Sequence, residues 1–149
     1  TFYEDTRSIG NTVPNLPGDT AGPQGGEDIR IGLDNGLGFG WTNQTVFKIG
    51  TEYNLNETTT LRARWNYGES PINEDREIIM NLVAPAAVEH HLTLGGTYNL
   101  KPNMAINANY VHAFENKQCG PTYISDDGSN LGCLSMSQNT IGASFSMQY

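Results

Sequence analysis

An unbroken alternation of side-chain character over residues 140–149 constrains the fold of this chain more than any other feature. The apolar row contains Ile141, Ala143, Phe145, Met147 and Tyr149, and the polar or small row contains Thr140, Gly142, Ser144, Ser146 and Gln148. A period of two residues is that of a β-strand with two unlike faces. A sequence that closes on an aromatic residue within such a strand is typical of the last strand of an outer-membrane β-barrel, whose faces meet lipid and water.

Composition permits this interpretation and excludes others. Hydrophobic residues make up 37% of the sequence and the mean hydropathy is -0.46. No run approaches the roughly eighteen apolar residues that a membrane-spanning helix requires, whereas a barrel strand needs apolar residues only at alternate positions. The net charge of -8, without clusters of Lys or Arg, excludes nucleic acid as a partner.

Two hairpin-like units precede the closing strand. Residues 45–55 and about 59–69 alternate on either side of a short turn, and residues 88–100 and 103–115 alternate on either side of Lys101-Pro102. Strands of about eleven residues, rising about 3.4 Å per residue and tilted by about 40°, match the roughly 25 Å apolar band of an outer-membrane barrel. The sequence therefore predicts an all-β fold, an antiparallel transmembrane β-barrel segment of about five strands.

The two faces of these predicted strands differ in polarity. The outward rows are mostly apolar and contain Phe47, Ile49, Tyr53, Leu61, Trp65, Tyr67, Leu92, Leu94, Tyr98, Leu100, Met104, Ile106, Tyr110 and Phe114. The inward rows contain Lys48, Gly50, Glu52, Arg62, Arg64, Asn66, Glu89, His91, Thr93, Thr97, Asn107 and Asn109. A soluble β-sandwich also alternates and is the alternative, but apolar rows as long as a bilayer is thick favour the membrane. Trp41 and several tyrosines near strand ends fit aromatic girdles.

The connections between strands alternate in length, as they do at the periplasmic and extracellular ends of such barrels. Residues 1–43 are predicted to be a strand remnant, within 1–11, followed by a long external loop rich in Gly and Pro. Residues 44–149 are predicted to carry the barrel strands, with external loops at 70–87 and 116–135.

Several stretches resemble, in this order, the C-terminal part of the FadL-type family. They are residues 38–41 (GFGW), 46–53 (VFKIGTEY), 60–63 (TLRA) with 70–72 (SPI), 89–95 (EHHLTLG) and 112–114 (HAF). The family comprises outer-membrane transporters of long-chain fatty acids and, in some relatives, of aromatic hydrocarbons. The resemblance implies a location in the bacterial outer membrane and a fourteen-stranded barrel with an N-terminal hatch, an apolar ligand path and a lateral opening.

The chain supplies about five strands, fewer than the eight of the smallest usual closed barrel. Open sheet edges in hydrocarbon cost several kcal/mol for each unsatisfied backbone group. Three explanations stay open: a C-terminal piece of a longer protein, which is favoured, a subunit that closes a barrel by association, or a segment of a non-native assembly. The expected partners are outer-membrane lipid, hydrophobic small molecules such as fatty acids, and the remaining strands and hatch of a parent barrel or other chains.

Charged residues of the inward row are the first candidates for a binding site. Glu52 and Arg62 lie opposite each other if the first turn centres near Glu57, which predicts an ion pair inside the barrel. The alternative is that Lys48, Arg62 and Arg64 bind a fatty-acid carboxylate, since arginine can hold a carboxylate through two parallel hydrogen bonds.

An apolar cluster in the connection 70–87 gives a second set of candidates. Ile78, Ile79 and Leu82, beside Met80 and Val83, are more apolar than a solvated loop requires. Packing of the loop on the barrel mouth explains them, and so does an apolar lip that first captures a greasy ligand. The sequence does not separate these two readings.

Cys119 and Cys133 are the only cysteines and lie in one predicted external loop, so a disulfide is expected in an oxidising envelope. His90 and His91 are adjacent on a strand and point to opposite faces, so they cannot share a metal ion. No metal site, catalytic motif or cofactor is expected.

Two functions of different classes follow. The first is passive transport, in which the protein admits long-chain fatty acids or similar hydrophobic molecules across the outer membrane. The second is a structural or surface-recognition role, as an adhesin or receptor barrel without a ligand path. An apolar lumen favours the first, and a lumen filled by a network of Glu52, Arg62 and Arg64 favours the second.

Overall fold

The computed structural model describes residues 1–11, 31–33, 36–74, 78–121 and 131–148. Its elements are, in chain order, α1 (Arg7–Gly10), β1 (Val46–Asn54), β2 (Thr59–Gly68), α2 (Ile78–Asn81), β3 (His90–Lys101), β4 (Met104–Pro121) and β5 (Leu131–Met147). No helix among the described residues is long and apolar enough to cross a membrane. The prediction of an all-β antiparallel fold is confirmed.

The chain divides into two compact units, which are described separately. Unit 1 comprises Thr1–Thr45, Glu69–Ala87 and Asn116–Met136. Unit 2 comprises Val46–Gly68, Val88–Glu115 and Ser137–Tyr149. Each unit is therefore assembled from segments that are distant in sequence. The division into residues 1–43 and 44–149 that the sequence suggests stays a prediction.

The five strands form one antiparallel sheet in the order β1-β2-β3-β4-β5, so each strand pairs with its neighbour in sequence. Glu52 lies opposite Arg62 in the pair of β1 and β2. Thr97 lies opposite Thr60 on one side and Asn107 on the other. The register predicted for the first hairpin is confirmed. It is strongly specified because a slip by one residue would exchange the two faces of the sheet.

The turn between β1 and β2 holds this register in place. The side-chain carbonyl of Asn56 accepts hydrogen bonds from the backbone N–H of Thr58 at 3.0 Å and of Thr59 at 2.8 Å, and from the Thr58 hydroxyl at 2.9 Å. Asn side chains commonly stabilise turns by binding the backbone two residues further on. The predicted short turn at 56–58 is therefore built around one side chain.

The outward row of unit 2, which we call the apolar face, is exposed. Ile49, Leu94 and Ile141 have 68%, 48% and 83% of their surface accessible. In a soluble β-sandwich such a row would be covered by a second sheet. Large apolar patches left uncovered mark surfaces that meet lipid or a partner. The sandwich alternative is therefore disfavoured, and the face has the chemistry of a barrel wall in a bilayer.

Unit 1 has a small apolar core of its own. The side chains of Ile72, Ile78, Ala87 and Leu134 are buried together, and Trp41 and Ala86 pack against them. Leu134 belongs to β5, whereas Ile72 and Ile78 come from the connection between β2 and β3. Gln118 of β4 is also buried, and its side-chain oxygen accepts a hydrogen bond from the Ser70 hydroxyl at 2.9 Å.

The strand remnant predicted within residues 1–11 was wrong for residues 7–10, which form α1. Helical hydrogen bonds run from Gly10 N–H to Thr6 C=O at 2.7 Å and from Asn11 N–H to Arg7 C=O at 3.2 Å. Phe2 and Tyr3 are adjacent in sequence, so the segment has no period of two to hold it as a strand.

The external loop predicted at 116–135 was too long. β4 continues to Pro121 and β5 begins at Leu131, so residues on both flanks of the predicted loop are strand. Residues 131–138 alternate too weakly for sequence to identify them, since neither row is uniform: one contains Leu131, Cys133, Ser135 and Ser137, and the other contains Gly132, Leu134, Met136 and Gln138. The predicted proline-rich turns within residues 12–30 and the last residue, Tyr149, lie outside the described residues.

Candidate ligand-binding groove

The inward row of unit 2, which we call the polar face, contains an open groove with a volume of about 760 Å³. Its side chains come from β1 to β4, and the predicted cations Lys48, Arg62 and Arg64 all line it. Other lining residues on the polar face are Gly50, Glu52, Thr93, Gly95, Asn107 and Asn109. The register places them together because alternate residues of paired strands share one face.

A chain of side-chain contacts crosses all five strands on the polar face. Arg62 Nε lies 2.6 Å from Glu52 Oε2, and Arg62 Nη1 donates to the Thr97 hydroxyl at 2.6 Å. The Thr97 hydroxyl donates to Asn107 Oδ1 at 2.8 Å, and Asn107 Nδ2 donates to the Ser144 hydroxyl at 3.3 Å. We call this chain the polar tie. The polar tie fixes the Arg62 side chain, because two of the Arg62 nitrogen atoms, Nε and Nη1, donate to it.

Arg64 and Lys48 differ from Arg62. Within the part of the chain that the structure describes, neither side chain forms an ion pair or a hydrogen bond. Arg64 lies opposite Gly50 on β1 and opposite Thr93 on β3. Lys48 is two residues from Gly50 and therefore lies diagonally across from Arg64. Of the three cations in the groove, Arg62 is thus held by a carboxylate, and Arg64 and Lys48 have no carboxylate partner among the residues that the structure describes.

Glycine opposite Arg64 keeps this part of the groove open. A Cβ atom built at Gly50 would lie 3.7 Å from both Cβ and Cγ of Arg64. Any larger side chain at this position would therefore extend over the Arg64 stem. Gly95 has the same role beside Arg62, since its Cβ would lie 4.0 Å from Cβ of Arg62.

The two adjacent histidines point to opposite faces, as predicted. His91 Nδ1 lies 3.2 Å from Asn66 Nδ2 on the polar face. His90 stacks on Tyr67 on the apolar face, with ring centroids 4.7 Å apart. Among the described residues, no group of three or more His, Cys, Asp or Glu is placed to hold a metal ion.

The second set of candidates, Ile78, Ile79 and Leu82, lies in unit 1, and its members have different surroundings. Ile78 of α2 is fully buried in the core, so packing accounts for it. Leu82 and Val83 follow α2 and are 53% and 80% exposed. Ile79 belongs to α2, and nothing further is described for it. Packing of the loop therefore accounts for Ile78. Contact of Leu82 with an apolar ligand stays a proposal.

Trp41 was predicted near a strand end in an aromatic girdle, and it lies instead against the core of unit 1. Its indole N–H donates to Asn81 Oδ1, and Asn81 Nδ2 donates to the Phe39 carbonyl at 3.0 Å. Tyr3 packs edge-on against Trp41 with ring centroids 5.2 Å apart. Forty residues separate Trp41 from Asn81, so no local sequence pattern indicates this contact.

The predicted disulfide is present between Cys119 of β4 and Cys133 of β5. It joins the two strands directly, whereas the sequence placed both cysteines in a loop. Both cysteines and their neighbours belong to unit 1, where Gln118 accepts a hydrogen bond from Ser70 and Leu134 lies in the core. The disulfide therefore fixes the part of the hairpin on which the connection between β2 and β3 packs.

The polar tie is the part of the site that sequence reasoning missed beyond Glu52 and Arg62. Thr97 and Asn107 were placed in the inward row, and they lie opposite each other in the pair of β3 and β4. The register of this pair shifts between Asn99 and Lys101, so a count of residues from the predicted turn at Lys101-Pro102 does not give this alignment. Ser144 lies in the polar row of the closing strand, and the hydrogen bonds between these side chains also depend on their rotamers.

The fold and the groove together define a class. An antiparallel sheet with one exposed apolar face and one polar face lined by charged and small residues is the wall of a transmembrane β-barrel. A comparison with family models matches residues 35–149 to outer membrane protein transport protein (OMPP1/FadL/TodX). The chain belongs to this family of outer-membrane transport proteins, which confirms the resemblance seen in the sequence.

The family supports a general function, the transport of hydrophobic compounds across the bacterial outer membrane. Comparisons with curated proteins and with solved structures found no significant match.

Proposed function

We propose that this protein serves the passive uptake of long-chain fatty acids or similar hydrophobic compounds across the outer membrane. The observation that carries the proposal is the unlike chemistry of the two faces of unit 2. The apolar face is exposed as a lipid-facing wall, and the polar face contains an open groove of about 760 Å³. Pockets that hold small ligands have volumes of about 300–1,000 Å³, so the groove has a suitable size.

The cations of the groove support an amphipathic ligand. Lys48, Arg62 and Arg64 line it, whereas Glu52 is the only acidic residue in the described part of its lining. A long-chain fatty acid combines a carboxylate with an acyl chain, so it fits a wall that offers guanidinium groups among small residues such as Gly50 and Gly95.

Exposed apolar residues of unit 1 support a contact of their own with hydrophobic ligands. Leu82 and Val83 stay exposed although α2, directly before them, is anchored by the buried side chains of Ile78 and Asn81. The N–H of Val83 donates to the Met80 carbonyl at 3.2 Å, which holds the turn that carries them. We assign Leu82, and with it the predicted Ile79, to this contact as part of the proposal.

The second candidate is a structural or surface-recognition barrel without a ligand path. The polar tie favours it in part, because a network that crosses the wall from Glu52 to Ser144 stabilises the sheet without any ligand. Transport is favoured over this alternative because the family is one of transport proteins and because the groove stays open beside the tie.

Uptake by whole cells tests the proposal. The native protein is expressed in a bacterial strain that lacks its own fatty-acid uptake protein, and cell-associated radiolabelled hexadecanoate is measured over time. We expect the initial rate to rise above that of the same strain expressing an unrelated porin, and to be unaffected by a protonophore because diffusion needs no proton gradient. A rate equal to that of the porin control contradicts transport and favours the structural alternative.

A further inference from the structure

We infer that Arg64, assisted by Lys48, is the residue that makes this groove prefer hydrophobic compounds with a carboxylate over neutral ones, and that Glu52 limits this preference by holding Arg62. The inference rests on the proposed function and refines it. It assigns different roles to two arginines that lie two residues apart on the same face of β2.

The charge of the groove is opposite to that of the chain. The chain has 8 basic and 16 acidic residues, with a net charge of -8. Among the described residues, three of the basic side chains line this groove, and Glu52 is the only acidic side chain that does so. Within the same part of the chain, one of the three positive charges is compensated by a carboxylate and two are not. A cationic groove in an acidic protein attracts anionic ligands over neutral ones.

Arg62 is already occupied by groups of the wall. Its Nε is held by Glu52 at 2.6 Å and its Nη1 by the Thr97 hydroxyl at 2.6 Å. Thr97 is fixed in turn by Asn107 at 2.8 Å. A ligand carboxylate that binds Arg62 through two parallel hydrogen bonds competes with Glu52 for Nε or with Thr97 for Nη1. Glu52 is a carboxylate that is already in place at no entropic cost of association. Arg62 is therefore a positioning residue of the wall.

Arg64 has the opposite surroundings. The residues facing it across the strands are Gly50 and Thr93, neither of which is charged. Its side chain is exposed to the groove, and within the described residues it makes no ion pair. The missing side chain at Gly50 leaves space directly over its stem. The guanidinium can therefore present two parallel N–H donors to an incoming carboxylate.

The preference for an acid over a neutral ligand follows from the free energy needed to remove water from a charged group. An acyl chain laid over Arg64 removes water from the guanidinium, and this is unfavourable unless the ligand supplies an acceptor. A carboxylate supplies two, whereas an alcohol or an alkane supplies one or none. The same groove therefore binds an acid more tightly than a neutral molecule of equal chain length, and Lys48 adds to the difference as a second, diagonal charge.

A pair of ligands and four forms of the protein test this assignment. Equilibrium binding of radiolabelled hexadecanoate and of hexadecanol is measured on the native protein in non-ionic detergent, at a pH at which the acid is ionised. The variants are Arg64→Gln, Glu52→Gln and the double variant Glu52→Gln/Arg62→Gln. The double variant removes the ion pair as a unit and leaves the net charge unchanged, so it is the matched control for Arg64→Gln.

We expect Arg64→Gln to weaken hexadecanoate binding roughly tenfold, the effect of losing one charge-assisted contact, and to leave hexadecanol binding within about twofold. Glu52→Gln frees Arg62 and is expected to strengthen hexadecanoate binding several-fold. The double variant is expected to bind both ligands like the native protein. Unchanged hexadecanol binding also shows that each variant is folded.

Three outcomes overturn the assignment. Equal loss of both ligands in Arg64→Gln assigns Arg64 to general packing. A loss of hexadecanoate binding in the double variant as large as that in Arg64→Gln assigns the carboxylate to Arg62. Tight binding of hexadecanol and hexadecanoate with equal affinity to the native protein removes the preference but leaves transport of hydrophobic compounds intact, whereas binding of neither ligand contradicts the proposed function itself.

Discussion

Glu52 and Arg62 lie directly opposite each other on β1 and β2, and the Arg62 Nε atom is 2.6 Å from the Glu52 Oε2 atom. The two side chains are 54% and 48% exposed, so water screens their attraction. Arg62 also donates to Thr97 on the next strand, so the pair links three strands. The ion pair therefore positions the Arg62 side chain more than it stabilises the sheet.

The first prediction concerns the energy of this pair. A double-mutant cycle with Glu52→Gln and Arg62→Gln is expected to give a coupling free energy of about 0.2–1 kcal/mol, the range of exposed ion pairs. The coupling should decrease as salt is added, because exposed charges are screened. Urea titration of the protein in phospholipid vesicles at low and at high NaCl measures it, because urea is uncharged and does not screen the pair. A coupling energy well above 2 kcal/mol, or one that is insensitive to salt, would mean that the pair is buried in the assembled wall.

The second prediction tests the assignment of the two faces. Leu94→Arg places a charge on the apolar face near the middle of β3, where arginine facing lipid costs about 2–4 kcal/mol. The matched control is Asn109→Arg, which places the same side chain on the polar face of the neighbouring strand and is expected to cost less than about 1 kcal/mol. Both are measured as unfolding free energies in phospholipid vesicles. Equal costs, or a larger cost for Asn109→Arg, contradict the assignment of the faces.

The strands and their register were within reach of sequence reasoning because each signal is local. Phe47, Ile49 and Tyr53 recur at every second position, and the turn formed by Asn56 is short enough to fix which residues of β2 face them. The opposition of Glu52 and Arg62 then follows by counting from the turn. The alternation of apolar and polar residues distinguishes the lipid-facing side of each strand from the other side, and this alternation is visible in a single sequence.

Unit 1 was largely beyond sequence reasoning, for a physical reason. Its core joins Ile72, Ile78 and Leu134, and Leu134 is more than fifty residues from the other two. Such a core has no periodicity along the chain. A hydrophobic cluster such as 78–83 indicated that something packs there, but which residues are buried depends on partners that only the fold brings together.

The third prediction concerns the disulfide between Cys119 and Cys133, which are fourteen positions apart in sequence. Loop-entropy estimates give a contribution of about 3 kcal/mol for a loop of this length. The unfolding free energy of the protein should therefore decrease by about this amount on reduction. Replacement of both cysteines by serine should abolish the response to the reductant. A stability that is the same with and without reductant contradicts the prediction.

The fourth prediction concerns the close approach of Gly120 to the segment 69–87. A Cβ atom at Gly120 would overlap the backbone carbonyl of Glu74 and lie 2.9 Å from the Cγ1 atom of Ile78. Gly120→Ala is therefore expected to destabilise the protein by about 1–3 kcal/mol, the usual cost of overpacking. It should also expose the segment to trypsin, whose cleavage at Arg76 is followed by mass spectrometry.

The control for Gly120→Ala is the same substitution in the sheet. A Cβ atom at Gly96 would lie 3.7 Å from the nearest atom of Leu61, an ordinary contact distance. Gly96→Ala should therefore leave both stability and proteolysis at Arg76 close to those of the native protein. Equal sensitivity of the two variants to trypsin would show that Gly120 does not hold the segment by close approach.

The fifth prediction concerns Asn81, which is fully buried and binds two groups on one segment of unit 1. Its Oδ1 atom accepts the indole N–H of Trp41, and its Nδ2 atom donates to the Phe39 carbonyl. Asn81→Leu keeps the number and branching of the side-chain heavy atoms but leaves both of these groups without a partner, and each buried unpaired group costs about 1–3 kcal/mol. We expect a loss of about 3 kcal/mol, measured by guanidinium titration with tryptophan fluorescence as the signal.

Leu82→Asn makes the reverse change at the next, exposed residue and should alter stability by less than about 0.5 kcal/mol. A cost for Asn81→Leu as small as that of the control would mean that Trp41 and Phe39 find other partners, and that Asn81 does not anchor α2.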